Sequence, residues 1–407
     1  MSRVTEFRLP MTVVFAGSAL IGLGLCAGLA TAGVELGLNL TIVGLVLALL
    51  LPLGLEVRNR ASRVRRVVIL DYRAHQFGHA VARGAMRTLS ADRRRWSVEY
   101  KAPTTSTGDG SLAWQIRELQ TAVIEDLDGI ILIPSDDDRD LWFALAAAIK
   151  TKIFAVAIDT KPPNTVFRNT GIEPPRFVSA RYGESGEIIG KVLTEWLSAD
   201  PLRQCVLWTG PDGSFAGEER SRNILYRLAQ ADLLDRTVLM PMDDWAPDSG
   251  RCRDTLKIVE SSPTQVAVYA GDDENAMALH WLTVSEHAEL RHRMFLIGCN
   301  ATPDDWGHVP ALDLRTVEAT VDILAEEQGV QAALLFVKER SGKLPASQRS
   351  VYISPELARP ADAGSTWLHS LFAAEGNHED EVTEVETITQ DEEGKLSRAT
   401  LEEVLED

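Results

Sequence analysis

Residues 265–304 constrain the fold of this chain more than any other stretch. They read QVAVYAGDDENAMALHWLTVSEHAELRHRMFLIGCNATPD. VAVYA is short, apolar and strand-forming, and it runs into the polar turn GDDEN. The apolar spacing that follows predicts a helix over 276–287. A second apolar strand, MFLIG, runs into another polar turn, CNATPD. Strand, polar turn and helix in this order indicate a parallel sheet covered by helices. In such sheets ligands bind beyond the carboxyl ends of the strands. Two successive strands with polar carboxyl ends therefore predict a ligand-binding α/β protein.

The same unit recurs on either side. VVIL at 67–70 is followed by polar DYRAHQFGH and a helix over 79–89. A Thr-, Gly- and Ser-rich loop over 101–110 precedes a helix over 111–125. The strand GIILIP (129–134) leads through a Ser-Asp-Asp-Asp turn into an Ala-rich helix, and IFAVAID (153–159) ends in a loop with Pro162 and Pro163. The pattern then restarts with a helix over 183–198, the strand QCVLWTG (204–210) and a helix over 219–229. TVLMPM (237–242), a helix over 253–260, a strand over 314–320 and a helix over 321–340 complete it, with extended chain at 351–354. This predicts two lobes of parallel sheet. Lobe one is expected over 66–180 and 324–345, and lobe two over 181–323 and 346–360. No GxxxxGK[ST] and no GxGxxG after a strand occurs, so a nucleotide cradle is not indicated and no cofactor is expected.

The termini differ from this domain. Residues 9–31 and 38–55 are two long apolar runs free of Lys and Arg, each about the length that spans a bilayer as a helix. Arg3 and Arg8 precede them, and Arg58, Arg60, Arg63, Arg65 and Arg66 follow, whereas the connector carries only Glu35. Cationic flanks stay inside, so residues 1–65 read as a two-helix membrane anchor with both ends in the cytoplasm. The rival topology cleaves after Ala30, Thr31 and Ala32 and keeps one span. The soluble domain is expected in the cytoplasm, with a periplasmic or extracellular placement as the alternative. Residues 361–407 form an acidic tail, without Lys or Arg over 375–393, which is expected to be solvated and is a candidate docking segment for a protein partner.

The net charge of -18 argues against nucleic acid as a partner. The four cysteines, Cys26, Cys205, Cys252 and Cys299, have no CxxC or metal-ligand spacing and read as buried or free thiols. GxSxG, HExxH and a Cys with a matched His are absent, and DDE at 272–274 reads as a helix cap and ligand contact. The chain is therefore expected not to be an enzyme.

Seven spaced segments carry a family resemblance: QFGHAVARGA, DGIILIPSD, AVAIDT, GEIIG, WTGPDGSFAGEER, AVYAGDDENAMAL and LIGCNATPD. Over residues 66–360 the chain resembles the type I periplasmic binding proteins of the ribose- and galactose-binding group, whose fold is shared with the ligand domains of lac-repressor-type regulators. The resemblance implies two lobes closing over a sugar, a polyol or a similar small polar ligand. It implies Phe77 as a stacking aromatic in lobe one and Trp245 as its counterpart in lobe two. It implies hydrogen-bonding roles for Asp159, Arg220, Asp272 and Asn300. The chain departs from the pattern at Thr160, where ribose binders often carry Arg, and at Ile323, where Gln is frequent. Gly78 stands where a second aromatic is common, flanked by His75 and His79, and Arg181 and Tyr182 occupy the first hinge. The expected function is that of a membrane-anchored sensor or receptor module. The alternatives are the anchored solute-binding component of an ABC sugar importer and a ligand-gated two-helix membrane effector.

Overall fold

Short apolar strands and amphipathic helices alternate along nearly the whole described chain. The computed structural model describes residues 63–91, 95–103, 109–125, 127–135, 138–302 and 309–358. The two apolar runs and the acidic tail lie outside the described residues. Among the described residues no helix is long and apolar enough to cross a membrane.

Lobe one opens with β1 (Arg65–Asp71), α1 (Gln76–Ser90), β2 (Trp96–Lys101) and α2 (Asp109–Ile124). It continues through β3 (Gly129–Ile133), α3 (Arg139–Lys150), β4 (Phe154–Ile158), α4 (Asn164–Thr170) and β5 (Arg176–Ala180). Lobe two carries α5 (Tyr182–Ser198), β6 (Gln204–Thr209), α6 (Phe215–Gln230), β7 (Thr237–Pro241) and α7 (Ser249–Ser261). Then come β8 (Val266–Tyr269), α8 (Asp273–Glu286), β9 (Met294–Ile297), α9 (Pro310–Asp313) and β10 (Thr320–Asp322). The chain returns through α10 (Ala325–Arg340) and ends with β11 (Ser350–Ile353) and β12 (Glu356–Ala358).

The first sheet has six parallel strands in the order β11-β5-β4-β3-β1-β2. The second has four parallel strands in the order β7-β6-β8-β9. Single bridges from Ile297 to Ala319 and from Asn300 to Asp322 carry it on to β10, which pairs antiparallel with β12. Strands β3, β8 and β9 are buried along their full length. Helices on both faces of a parallel sheet require this, and it explains why these strands read as unbroken apolar runs. Each lobe has its own core. The first gathers around Trp142, Phe167, Leu119 and Leu132, and the second around Trp208, Val206, Leu279 and Leu296. The Trp208 indole would leave a buried donor unpaired, but it donates to Thr255 Oγ1 at 3.0 Å.

Several boundaries differ from expectation. β2 and β5 are absent from the sequence reading. β2 lies at the sheet edge, so WSVEYK needs only alternating burial and carries Glu99 and Lys101. β5 is five residues long and follows Pro174 and Pro175, which read as a loop. The strand expected at 314–320 is a turn over its first half. Arg315 takes a positive φ of 53° and Thr316 Oγ1 donates to Ala311 O at 2.8 Å, so pairing is confined to Ala319–Asp322. Leu324 is also left-handed, at φ 53°, so the next helix starts at Ala325 rather than at 321. Residues 346–360 divide between lobes: β11 pairs with β5 in the first sheet and only β12 joins the second.

The returning helix α10 is fastened to lobe one by two glycines. A Cβ on Gly84 would stand 2.0 Å from the Glu326 carbonyl oxygen, and one on Gly329 would stand 1.9 Å from the Val81 carbonyl oxygen. Both obstacles are backbone, so relief requires moving a helix. We expect Gly84→Ala to destabilise the fold by about 1–3 kcal/mol despite its better helix propensity. A urea midpoint unchanged or raised in Gly84→Ala would show that the helices do not pack this closely.

Candidate functional site

The carboxyl ends of β1 and β4 in one lobe, and of β6, β8 and β9 in the other, carry the polar residues that the sequence singled out. Polar groups collect there because each strand ends where backbone pairing ends and the next helix begins.

Arg220 lies in α6 and is 4% exposed. Its guanidinium carbon is 5.3 Å from the centroid of Tyr182 and 4.9 Å from that of Trp245, so the cation sits between two aromatic faces. Its Nη1 donates to Gly271 O at 3.0 Å and its Nε to Ala216 O at 3.1 Å. Close approach of α5 and α6 puts it there: a Cβ on Gly186 would meet the Arg220 carbonyl oxygen at 2.4 Å. Trp245 comes from the loop between β7 and α7. Glycines make room for its ring, since a Cβ on Gly210 would lie 3.1 Å away and one on Gly271 3.4 Å away. Its carbonyl accepts from Asn275 Nδ2 at 3.1 Å. Asn275 Nδ2 also donates to Asp272 Oδ1 at 2.9 Å, and Asp272 caps α8 by accepting from Asn275 N at 2.8 Å. Arg220, Trp245 and Asp272 thus form one connected group in lobe two.

Asn300 stands apart from that group by its bonds. It follows β9 with φ 105°, donates its backbone N–H to Val321 O at 2.8 Å and bridges to Asp322. In lobe one, Phe77 is the second residue of α1 and is buried, with its ring 5.8 Å from that of His75. Asp159 follows β4 in a left-handed conformation, φ 71°. Its Oδ1 is buried and has no hydrogen-bond partner. The lobes are linked electrostatically here, because Asp159 feels both Arg220 and His75.

A second constellation was only partly legible. Asp71 ends β1 and is fully buried. Tyr100 donates its hydroxyl to Asp71 Oδ2 at 2.8 Å, and His75 Nδ1 stands 3.2 Å from the same oxygen. His75 Nδ1 also lies 2.9 Å from Arg73 O. Two acceptors at one nitrogen require that Nδ1 carries the proton. Gly78 is needed beside this carboxylate, since a Cβ there would lie 1.7 Å from Asp71 Oδ2. Arg73 reaches lobe two, with Nη2 3.3 Å from Glu274 Oε2. The signal was DYRAH, four polar or titratable side chains at the end of a strand. Tyr100 gave none, because it comes from the unrecognised β2.

Burial raises several acids. It pushes Asp159 up to about 6, against the pull of Arg220 and His75. Burial, then the nearby Glu274, pushes Asp272 up to about 6. Asp322 is likewise pushed to about 6 by burial. Asp273 is pushed to about 8 by burial, although Thr320 Oγ1 donates to it at 2.7 Å and Ala301 N at 2.8 Å. Burial opposes the charge on His75, and Asp71 more than offsets that, so its pKa is raised. Cys205, Cys252 and Cys299 are buried free thiols, and burial pushes each up to about 11. Among the described residues no group of His, Cys, Asp and Glu is arranged to hold a metal ion.

The arrangement matches a known fold. A solute-binding protein of an ABC transporter from Actinobacillus succinogenes, solved with D-allose, superimposes with a TM-score of 0.60 at 16% identity, covering 73% of this chain and 98% of that one. GanP, a glucose-galactose binding protein from Geobacillus stearothermophilus, gives 0.57 at 16% identity over 74% and 99%. The fructose-binding periplasmic domain of a hybrid two-component system gives 0.58 at 16% identity over 76% and 96%. No protein-family model and no curated protein matches the chain. The described domain therefore has the two-lobed α/β fold of the type I periplasmic sugar-binding proteins.

The raised acids have a consequence for stability. A carboxyl whose folded pKa exceeds its ordinary value near 4 binds its proton more tightly when folded. Its contribution is complete below about pH 4 and is lost as pH rises through the folded value, here 6 to 8. His75, also raised, has the same sign. We expect the urea midpoint to fall between about pH 5 and pH 8.5 at constant ionic strength. A midpoint that stays level or climbs over this range would mean that these acids are not raised in the folded state.

Proposed function

We propose that this chain binds a small uncharged polyhydroxylated ligand, a sugar or polyol, between its lobes. Asp159, Arg220, Trp245, Asp272, Asn300 and Phe77 are the ligand contacts in this reading. The observation that carries it is a buried carboxylate oxygen without a partner in one lobe, within electrostatic reach of a buried guanidinium in the other. Asp159 Oδ1 lacks any hydrogen-bond partner. Arg220 donates to two backbone carbonyls, bonds the Cys299 thiol and lies between two rings, and among the described residues no carboxylate stands within ion-pair distance of it. A hydroxyl-bearing ring supplies what both need: O–H donors for the carboxylate and oxygen acceptors for the guanidinium. Each buried group left unpaired costs about 1–3 kcal/mol, which gives such a site its discrimination between hydroxyl patterns. The neighbours of the same fold support the reading, since their described ligands include D-allose, D-arabinose, D-fucose and myo-inositol.

The test is a thermal-shift screen of the full chain against these sugars and myo-inositol. A ligand at 100 times its Kd should stabilise by about 2.7 kcal/mol. Arg220→Ala, Trp245→Ala and Asp159→Asn should each abolish the shift, and Asp159→Asn should raise ligand-free stability by removing a buried unpaired charge. If no polyhydroxylated compound shifts the unfolding transition, the carbohydrate reading is wrong.

We further propose that residues 1–65 tether this domain to a membrane and that it acts as a sensor or receptor module on the cytoplasmic side. The Arg-rich segment after the second apolar run supports that side. The fructose-binding neighbour from a hybrid two-component system supports a sensory role. The second reading is the anchored solute-binding component of an importer, favoured by the neighbours described as ABC solute-binding proteins. A reporter fused after Arg66 should report the cytoplasm. A periplasmic signal would overturn the cytoplasmic sensor and leave the importer component.

A further inference from the structure

Away from the proposed ligand contacts, an ion pair joins the lobes. Arg73 leaves β1 in lobe one, and Glu274 lies in the first turn of α8 in lobe two. Their closest atoms, Nη2 and Oε2, are 3.3 Å apart, and the side chains are only 12% and 29% exposed. The residues are 201 positions apart in sequence and belong to different sheets, so the bond requires the lobes to face each other at this separation.

The first lobe is built to hold Arg73 in place. Its backbone N–H donates to Asp71 Oδ1 at 3.5 Å, and its carbonyl accepts from His75 Nδ1 at 2.9 Å. Asp71 is itself held by Tyr100 and packed under Gly78. The guanidinium carbon lies 5.4 Å from the Tyr72 ring centroid. On the other side, Glu274 is carried by a helix whose cap, Asp272, also attracts Arg73. Without Arg73, Asp272 and Glu274 would be left as neighbouring like charges. Without Glu274, the sheltered guanidinium would lose its ion-pair partner. The contact is also incomplete, because Arg73 Nε is buried with no hydrogen-bond partner. A bond that is sheltered but under-satisfied favours closure without making it permanent.

We infer that Arg73 and Glu274 form an electrostatic latch across the cleft that sets the balance between open and closed lobes. The inference rests on the two-lobed fold and the ion pair, and needs no particular ligand. It gives the loop after β1 a second task, in which Asp71, His75 and Tyr100 act as positioning residues for Arg73. It also makes closure sensitive to ionic strength, since the pair is only partly withdrawn from solvent.

The test is the distance between the lobes of the full chain without added ligand, read by pulsed electron resonance. Spin labels would be placed through Lys161→Cys and Asp212→Cys, both exposed and on opposite lobes, in a Cys26→Ala background. The remaining cysteines are buried. The unaltered pair should give a predominantly short distance. Arg73→Gln and Glu274→Gln should each lower the closed-to-open ratio roughly three- to ten-fold. The double variant should open no further than either single one, because one bond is lost in all three. Raising salt from about 50 mM to about 500 mM should open the unaltered pair and leave Glu274→Gln unchanged. The latch is overturned if both single variants keep the short distance, if their effects add in the double variant, or if salt acts alike on all of them. The salt series covers a variant that fails to fold. Sugar is absent throughout, so failure of the carbohydrate reading would leave these outcomes untouched.

Discussion

Three short crossings between the lobes govern everything else in this structure. Arg181 alone separates β5 from α5, Ile323 and Leu324 separate β10 from α10, and Ser354 and Pro355 separate β11 from β12. Two crossings are tied together, since Arg181 N donates to Ile353 O at 2.9 Å. Links this short cannot let the lobes drift apart, and Ile323 and Pro355 are themselves buried. They oblige the carboxyl ends of both sheets to face one cleft, and they leave rotation about the crossings as the available motion. The polar turns at those strand ends are thereby gathered in one region, where Asp71, Arg220 and Asp272 are buried.

Such a site must keep charges in a sheltered place, and the chain does so in two ways. Some groups are fully partnered within their own lobe: Asp71 with Tyr100 and His75, and Asp273 with Thr320 and Ala301. Others are left short, among them Asp159 Oδ1, Arg73 Nε and Asn275 Oδ1. The first set stiffens the walls. The second holds unspent hydrogen-bonding capacity, and burial pushes acids of both sets upward, Asp159 to about 6 and Asp273 to about 8. Burial works against the charge of these groups, and the raised carboxyls record it.

Much of this was legible in the sequence because it depends on local pattern. VVIL, GIILI and VAVY are strands fully buried in parallel sheets, and continuous apolar runs announce them. The positions of Asp159, Asp272 and Asn300 at strand ends follow from the same pattern. What escaped had a weak local signal. WSVEYK alternates at an edge, RFVSA hides behind two prolines, and residues 314–318 look like a strand but are bent by the left-handed Arg315. Missing β2 meant missing Tyr100, and with it the reason for a buried Asp71.

The sequence by itself determined the α/β class, the two-lobed division and the placement of polar residues at strand ends, and its family resemblance singled out Arg220 and Asp159 as candidates. The first three rest on apolar periodicity and on where polar residues interrupt it, which are properties of neighbouring residues. Only the tertiary structure decided that Arg220 lies between Tyr182 and Trp245, that His75 leans on Asp71, and that Arg73 meets Glu274. Those contacts join residues up to 201 positions apart. Their distances are set by how two sheets and three crossings pack, and no local pattern encodes that.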